Sequence, residues 1–516
     1  MLRIGIDVGG TNTDAVVMDG PRVVEWIKMN NSEDITTGVT EALRQLLLKA
    51  GVATGEIGAV MIGTTQFTNA VVQRRDLAPV AALRLCLPAA QSLPPMVDWP
   101  DDLRQSVGNC WFLAHGGYEF DGREISPLDE EEIRGIAGKI RDRGIGAVAV
   151  SAVFSPINAA MEQRAAAILT EELPGVRVTL SEQIGRVGLL ERENAAILNA
   201  CLQPLGGRVI DAFIEALVGA GITAPLFLTQ NDGTLMAADF AKQFPVLTFA
   251  SGPTNSMRGA AFLSGLQEAL VVDIGGTTTD VGALHHGFPR EAGVAIEVGG
   301  VRTNFRMPDV YSIGLGGGSL VQREGSGPLT VGPQSVGYKL VKEGLVFGGA
   351  TLTATDIAVA AGQAEVGDKN AVARLEAGLV RDALAVIEEM VETACDRVRL
   401  TADPVPVLVV GGGSILVRDQ IGELVSTRPP YYQVANAVGA AIAQISGEVD
   451  RVYALSDLPR EKALADAKEQ ATERAVAAGA VRETVEIVEV EEVPLAYLPS
   501  NATRIRVKAV GDLARG

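Results

Sequence analysis

The chain has 516 residues, of which 47% are hydrophobic and 21% are charged. This composition excludes an intrinsically disordered chain, and the length predicts two or more packed lobes because one hydrophobic core rarely organises so many residues. The formal charge of −19 at pH 7 and an aromatic content of 4% argue against a nucleic acid as partner.

The N-terminal third predicts two units that each consist of a helix, a closing glycine and a buried strand. In chain order the predicted segments are strands at 4–6 and 15–18, a helix from residue 35 closed by Gly51, a strand at 59–62, a helix capped by Asp129 and closed by Gly144, and a strand at 147–154. Repeated units of this kind predict an α/β sheet with crossover helices.

The remaining segments are predicted from the same kinds of sequence pattern. They are an irregular stretch at 83–107, a helix at 191–202, strands at 270–272 and 281–284, a loop-rich stretch at 314–349, a helix from Ser456 to about residue 478, and strands at 485–490 and 504–510. We therefore predict three parts: an N-terminal lobe at 1–190, a second lobe at 191–450, and a small C-terminal α+β element at 451–516.

The cysteines and the apolar runs indicate the cellular compartment of the protein. The four cysteines are widely spaced and form no CxxC pair: Cys86, Cys110, Cys201 and Cys395. This pattern is typical of reduced thiols rather than of a disulfide framework or a zinc site. No run approaches the roughly 20 apolar residues of a membrane span, and the first ten residues do not form a secretory signal because Asp7 interrupts them. We expect a cytoplasmic protein without a membrane segment.

One eight-residue motif occurs twice, at residues 7–14 and 273–280, and has the form D-[hydrophobic]-G-G-T-x-T-D. Glycine pairs let the backbone approach a polyphosphate, and turn N–H groups then point at its oxygens. The predicted phosphate contacts are Gly9, Gly10, Thr11, Asn12, Thr13, Gly275, Gly276, Thr277, Thr278 and Thr279. Two ordinary hairpins are the alternative, and the repetition of the whole motif favours the phosphate site.

Four aspartates belong to the repeated motif. Asp7 and Asp273 would bring two carboxylates to one Mg²⁺, which prefers oxygen ligands. Asp14 and Asp280 are predicted to orient their turns or a water molecule. We take all four as candidate catalytic residues.

A third glycine-rich motif follows an apolar run at 407–410. It consists of Gly411, Gly412, Gly413 and Ser414. A strand that runs into such a turn and a helix start can contact an adenosine and offer a helix N-terminus to phosphate. Neither a G-x-G-x-x-G fingerprint nor a GxxxxGK[ST] loop occurs. The three motifs together predict an ATP site in a cleft between two lobes, each of which donates one hairpin.

With these motifs in place, residues 1 to about 450 resemble the hydantoinase A/5-oxoprolinase family, which is related to actin, sugar kinases and Hsp70. The further segments that carry the resemblance are, in the family's order, residues 63–70, 190–195, 230–234, 250–253, 314–319, 331–335 and 353–356. The resemblance implies a two-lobed, actin-like (ribonuclease-H-like) α/β fold. Two positions depart from the family: Asn12 stands where phenylalanine is frequent, and Gln66 where histidine is common.

The resemblance also implies an activity. Family members use ATP to phosphorylate a cyclic amide, which gives an imidate-like phosphate that water can attack, and many require a second, hydantoinase B-like polypeptide. Candidate substrate contacts are Thr64, Thr65, Asn69, Asn231, Asp232 and Ser251. We expect an ATP- and Mg²⁺-dependent lactam hydrolase subunit that works in an oligomer. Two alternatives stay open: the ATPase subunit of a carboxylase, and an ATP-driven switch that phosphorylates no metabolite.

Overall fold

The computed structural model describes residues 2–30, 35–293, 295–323, 327–401, 403–456, 458–495 and 501–514. The strands in these ranges are β1 Leu2–Val8, β2 Asn12–Asp19, β3 Arg22–Asn30, β4 Ile57–Thr64, β5 Ala81–Leu87, β6 Cys110–His115, β7 Ala147–Ala152, β8 Arg177–Leu180, β9 Leu226–Thr229, β10 Thr234–Ala237, β11 Ala269–Ile274, β12 Thr279–His285, β13 Phe288–Pro289, β14 Ile296–Val298, β15 Val301–Thr303, β16 Val310–Ile313, β17 Ser319–Arg323, β18 Leu329–Ser335, β19 Val407–Val410, β20 Gln420–Ile421, β21 Leu424–Thr427, β22 Gln444–Ala454, β23 Glu486–Pro494 and β24 Ala502–Gly511.

The helices in the same ranges are α1 Ile35–Ala50, α2 Gln66–Gln73, α3 Asp101–Ser106, α4 Glu130–Asp142, α5 Ala160–Glu172, α6 Leu189–Gly219, α7 Ala238–Gln243, α8 Ser251–Ser264, α9 Leu340–Glu343, α10 Ala354–Ala360, α11 Ala377–Val398, α12 Ala435–Ala441 and α13 Arg460–Ala477. Within the part of the chain that is described, every helix is too short or too polar to cross a membrane. The mixed α/β class predicted from the sequence is confirmed.

Local signals predicted several boundaries correctly. Helix α1 ends before Gly51, whose φ of +64 lies in the left-handed region that favours glycine. Helix α4 begins after Asp129, whose side chain accepts a hydrogen bond from the backbone N–H of Glu132 at 3.0 Å. Such caps depend on residues within one turn, so the sequence alone reveals them.

Other predicted elements were wrong in part. The stretch at 83–107 is not irregular throughout, because β5 is a buried central strand and α3 a short helix. The loop-rich stretch at 314–349 contains the hairpin β17–β18. The last long helix follows Pro459 rather than Ser456, since proline suits the entry of a helix, where the backbone N–H groups lack intrahelical partners.

The largest sheet has nine strands in the order β23-β24-β22-β10-β9-β4-β1-β2-β3. Its strands come from all three predicted parts of the chain, and β22 runs across position 450. The strands predicted at 485–490 and 504–510 are present as β23 and β24, and they extend this sheet. The apolar residues of α1 and α6 pack against it and form the main core.

A second large sheet contains the second copy of the repeated motif. Its strands follow the order β13-β12-β11-β19-β21-β20, with β16 paired to β12. Helices α10 and α11 cover one face and bury residues such as Ile357 and Ile387 against Val272 and Val409. A separate parallel sheet, β6-β5-β7-β8, packs with α4 and α5.

Helices α8 and α12 lie between the two large sheets. Met257 and Ala260 of α8 pack on β11 and β19, while Ala437 and Val438 of α12 pack on β2. The two helices touch through glycine: a Cβ added at Gly259 would lie 1.8 Å from the carbonyl oxygen of Ala435. This close contact fixes the spacing of the two sheets.

We expect Gly259→Ala to lower the free energy of unfolding by about 3 kcal/mol or more, because a Cβ 1.8 Å from the Ala435 carbonyl oxygen forces the backbone of α12 to move and repack. Urea denaturation followed by circular dichroism measures the change. Gly135→Ala on α4 is the matched control, since nothing lies within 4 Å of its added Cβ; there alanine should stabilise by up to about 1 kcal/mol. Equal effects at both positions would contradict the packing argument.

Candidate active site

The two copies of the repeated motif form the same hairpin. Asp7 is paired with Asp14 across β1 and β2, and Asp273 is paired with Asp280 across β11 and β12. Each turn is closed by one equivalent hydrogen bond, at 3.1 Å from Gly9 N to the Asn12 carbonyl and at 2.9 Å from Gly275 N to the Thr278 carbonyl. The shared sequence therefore produces a shared backbone.

The structure brings the two turns into contact although 266 positions separate them. A Cβ added at Gly276 would lie 2.9 Å from Oγ1 of Thr11. The remaining predicted phosphate residues lie on the same two turns or, for Asn12, Thr13 and Thr279, at the start of the strand that follows. A ligand held by both turns would have to separate Thr11 from Gly276.

The first strand of each hairpin pairs with a parallel strand that has a glycine near its end or directly after it. That glycine lies beside the first aspartate of the hairpin. Gly63 at the end of β4 is paired with Asp7, and Gly411 follows the β19 residue paired with Asp273. A Cβ would approach Asp7 Oδ1 to 2.8 Å at Gly63 and Asp273 Oδ1 to 2.3 Å at Gly411. Only glycine leaves room for these carboxylates at both places.

The third motif closes over the second hairpin. Gly413 N donates to the Ile274 carbonyl at 2.8 Å, and a Cβ at Gly412 would meet Cε of Lys28 at 3.2 Å. The predicted helix start was wrong in kind, because Ser414–Leu416 is a single 3-10 turn. A turn this short offers a phosphate little of the dipole of a longer helix.

The carboxylates are buried close to one another, and this changes their acidity. Burial, then the charges of Asp14 and Asp273, raises the pKa of Asp7 to about 7. Burial also raises the pKa of Asp273, and that of Asp280 to about 6 although a hydrogen bond from Ser312 opposes the shift. Burying like charges together is unfavourable unless a cation joins them.

Asp7 Oδ1 is buried and accepts no hydrogen bond from the residues that the structure describes. The site therefore offers a carboxylate oxygen with a free lone pair beside a second, half-buried carboxylate, which fits a hard divalent cation such as Mg²⁺. Asp7 and Asp273, the predicted ligand pair, are the residues that would hold it.

Two functional residues were missed by the sequence analysis. Lys28 Nζ lies 2.7 Å from both carboxylate oxygens of Asp14 and 3.2 Å from the Gln433 carbonyl. Asn436 Nδ2 donates to Asp7 Oδ2 and Asp14 Oδ2, both at 2.9 Å. The Asp-Gly turn between β2 and β3 could have revealed Lys28, because it places Lys28 opposite Asp14. No local signal marks Asn436.

Four of the predicted substrate residues gather at the carboxyl end of β4. Thr64 N donates to Ser251 Oγ at 3.3 Å, and Ser251 Oγ donates to the Thr64 carbonyl at 3.2 Å. Asn69 Nδ2 donates to Thr65 Oγ1 at 3.4 Å. Thr65 N reaches the Val8 carbonyl at 3.5 Å, so this group lies directly beside the first turn.

Asn231 and Asp232 lie apart from that group. The Asn231 side chain accepts from Ala250 N at 2.8 Å and donates to the Val246 carbonyl at 3.1 Å. The carboxylate of Asp232 accepts from Thr234 Oγ1 at 2.6 Å and pairs with Lys508 at 2.7 Å. Burial alone would raise the pKa of Asp232, but Lys508 holds it far below its usual range. These contacts within the chain engage the polar groups of both side chains.

A cavity of about 650 Å³ opens near the third motif, between α10 and α11. Helix α10 contacts the turn Ser414–Leu416, which directly follows Gly413, so the cavity lies beside the third motif. Val359, Val372 and Leu384 form its apolar wall, and Lys369 and Arg418 lie at its border. An apolar slot with a few polar groups suits a flat aromatic base.

Asp7 makes the stability of the nucleotide-free protein depend on pH. Its pKa is raised from 3.8 to about 7 on folding, so its share of the stability is fully present below about pH 4 and is lost as the pH rises through 7. We expect Asp7→Asn to raise the free energy of unfolding by up to about 4 kcal/mol at pH 8 and hardly at pH 4. Urea titrations at both pH values test this.

Asp19→Asn is the control for that experiment, because Asp19 lies on the same hairpin but is half exposed and pairs only with Arg22. A gain at pH 8 that is equal in the two variants, or absent from Asp7→Asn, would show that burial of Asp7 does not carry the effect.

Comparison with known proteins agrees with these features. Two family models match the chain, the hydantoinase/oxoprolinase N-terminal region at residues 3–173 and hydantoinase/oxoprolinase at residues 192–398, and together they span more than half of it. The chain is 28% identical over 388 residues to the caprolactamase alpha subunit of Pseudomonas jessenii. The alignment covers 70% of this chain and 54% of that protein. It is also 28% identical over 389 residues to the acetophenone carboxylase gamma subunit of Aromatoleum aromaticum, which is 70% of this chain and 53% of that protein.

Solved structures share the fold. The ATP-dependent caprolactamase of Pseudomonas jessenii superposes with a TM-score of 0.78 at 21% identity, and a nucleotide-free acetone carboxylase with a TM-score of 0.70 at 17% identity; each comparison covers 99% of this chain and 88% of the other. The chain spans about half the length of the curated relatives it matches. From its two matched regions and its two phosphate-type hairpins, the chain belongs to the hydantoinase/oxoprolinase family.

Proposed function

We propose that this protein is the ATP-using subunit of an enzyme that opens a cyclic amide by phosphorylating its carbonyl oxygen. The observation that carries the proposal is the contact of two hairpins with the same motif and register beside buried aspartates. This arrangement supports a two-lobed, actin-like ATPase architecture in which each large sheet contributes one phosphate turn. The protein would act in the cytoplasm as part of an oligomer.

ATP would lie along the line of the three motifs. Its phosphates would bind the backbone N–H groups of the two turns, once Thr11 moves away from Gly276. The adenosine would contact Gly411, Gly412 and Gly413, and the base would enter the 650 Å³ cavity beyond them. Ser414 Oγ, which is buried without a hydrogen-bond partner, is available to this end of the nucleotide.

Mg²⁺ bound by Asp7 and Asp273 would neutralise charge on the phosphates. Side chains of this protein orient the carboxylates at that site and balance their charge. Asn436 holds Asp7 and Asp14 in fixed orientations, and Lys28 balances the charge of Asp14. Such preorganisation contributes to phosphoryl transfer because the reaction needs positioning and charge stabilisation more than covalent help.

The substrate would lie beside the first turn, where Thr64, Thr65, Asn69 and Ser251 gather. The amide oxygen attacks the γ-phosphorus, the bond to the β,γ-bridging oxygen breaks, and ADP leaves. Water then adds to the activated carbon, the C–N bond breaks so that the ring nitrogen leaves as an amine, and a second water hydrolyses the resulting acyl phosphate to a carboxylate and phosphate. Asp280 and Asp14 would orient water, and the raised pKa of Asp280, about 6, would let it exchange a proton near neutral pH.

A carboxylase subunit is the second candidate, because an acetophenone carboxylase subunit is as similar in sequence as the caprolactamase subunit. It would use the same first step, since a phosphorylated carbonyl or bicarbonate oxygen needs the same ATP site. An ATP-driven switch is the third candidate and would need no small-molecule acceptor.

The test is ADP release by the purified chain, with and without the protein encoded beside it, on a panel of lactams and hydantoins and on bicarbonate with ketones. We expect release that depends on one class of cyclic amide and is lost in Asp7→Ala. Dependence on bicarbonate and ketone would favour the carboxylase, and dependence on the partner protein alone would favour the switch.

A further inference from the structure

A second and larger cavity lies beside the turn at 230–233, away from the two phosphate-type turns. It measures about 860 Å³, and its walls come from the loops at 155–159 and 182–187, from β22 and from α13. Asn231 and Asp232 line it, but their polar groups are engaged within the chain, as described above. Other side chains must therefore define what this cavity binds.

One wall is the free edge of a strand. β22 pairs with β24 from Ile445 to Ala454, but it pairs with β10 only at Gln444 and Ile445. In the described ranges no strand pairs with this second edge beyond Ile445. Backbone N–H and C=O groups of alternate residues from Ser446 onward therefore face this edge, and those not bonded within the chain can hydrogen-bond a ligand.

Arg186 enters the same cavity with its charge poorly balanced. Its side chain is only 23% exposed, and its carboxylate contacts are long: 3.4 Å to Glu291 and 4.0 Å to Asp450. Both partners have nearer cations, since Glu291 pairs with Arg506 and Asp450 with Arg504. Burial, then the neighbouring arginines 506 and 306, lowers the pKa of Arg186. The hydrogen bond to Glu291 is long and its acceptor is shared with other arginines, so this guanidinium can still accept a closer carboxylate as its partner.

Two further cations face the cavity. Neither Arg451 nor Arg474 has a carboxylate within 4.0 Å among the residues that the structure describes; Arg451 lies over the ring of Tyr453, and Arg474 donates to the Glu448 carbonyl at 2.6 Å. The carboxylates that line the cavity are mostly compensated, as Glu448 is by Arg306 at 2.7 Å. Glu182 makes no ion pair within 4.0 Å among the described residues; burial, then the charge of Glu162, raises its pKa, although Arg474 opposes the shift. The cavity therefore contains arginines that the described carboxylates pair weakly or not at all.

Part of the lining is apolar and includes Ile184, Phe240, Leu247 and Phe305. A purely inorganic anion would leave this surface in contact with water. An anionic head group on an apolar chain would satisfy both the arginines and the apolar wall.

We propose that this cavity is a binding site for a small organic carboxylate with an apolar chain, with Arg186 as the partner of its carboxylate. The ring-opened product of a simple lactam belongs to this chemical class, and only that link to the product rests on the proposed function. The turn at 230–233 lies between the cavity and Ser251, which contacts Thr64 at the first phosphate turn. Product released there would meet this cavity next.

The test is calorimetric titration of the nucleotide-free chain with hexanoate, 6-aminohexanoate and hexan-1-ol. We expect hexanoate to bind at one site at least about tenfold more tightly than the alcohol, because a charge-assisted pair adds to the same apolar contact. Arg186→Met should remove that difference, and Arg451→Met should reduce it without disturbing buried groups. Arg323→Met is the control, since Arg323 pairs with Asp382 on the surface outside the cavity.

Equal binding of hexanoate and hexan-1-ol, no binding of either at millimolar concentration, or full hexanoate affinity in a folded Arg186→Met protein would overturn the site. Binding of hexanoate without 6-aminohexanoate would overturn only the link to the product. None of these titrations contains ATP, so their outcome is independent of the turnover assay that tests the proposed function.

Discussion

Asp7→Ala is expected to reduce ATP turnover at least about 100- to 1,000-fold while the protein stays folded, and Asp273→Ala should do the same. Both carboxylates lie at strand ends beside glycine turns, and burial raises the pKa of both. Groups buried at such a cost serve a ligand rather than the core, so their removal should not weaken the fold. ADP release and thermal unfolding, each with and without Mg-ATP, measure the two effects.

Asp19→Ala is the matched control for turnover, because Asp19 lies at the other end of the β1–β2 hairpin and pairs only with Arg22 at the surface. It should turn over ATP like the unchanged protein. Turnover near the unchanged level in either Asp7→Ala or Asp273→Ala would remove the proposed metal and phosphate role of that residue, whereas a loss of the folded state would remove the claim that the residue is dispensable for stability.

The second large expected effect is that repeated ring opening requires a partner protein. The relatives named above are subunits, and this chain spans about half of their length. An activated phosphoimidate must also be shielded until water is directed at it, which favours an enclosed site over an open cleft. We expect the chain alone to release no more than about one equivalent of ring-opened product, and the partner protein to restore multiple turnover. Product and ADP are measured together at high enzyme concentration.

Unchanged ATPase activity in a chain whose partner is absent would still be compatible with this expectation, because phosphorylation and ring opening are separate steps. Sustained ring opening by the purified chain, with ADP and product in equal amounts and no second protein, would show that the expectation is wrong. A partner carrying an inactivating change in its own site distinguishes a catalytic partner from one that only stabilises the assembly.

Much of the fold followed from local pattern. The hairpin at Asp7, the cap at Asp129 and the closing glycine at Gly51 depend on residues within one or two turns of the chain, and all three are present. The errors have another origin. β5 was missed because its flanking prolines suggested a loop, whereas pairing with β6 and β7 on both sides stabilises it as a central strand.

The sequence by itself determined the two matching hairpin turns, since glycine pairs and their flanking strands favour that backbone. It also determined the family, because the matching segments keep one order along the chain. The contact of Thr11 with Gly276, and the hydrogen bond from Asn436 to Asp7, were decided by the tertiary structure alone. These contacts join residues hundreds of positions apart, and they exist because α8 and α12 hold the two sheets at one distance. The acidity of Asp7 and the under-paired charge of Arg186 have the same origin, since burial and neighbouring charge are properties of the packed molecule and not of any segment.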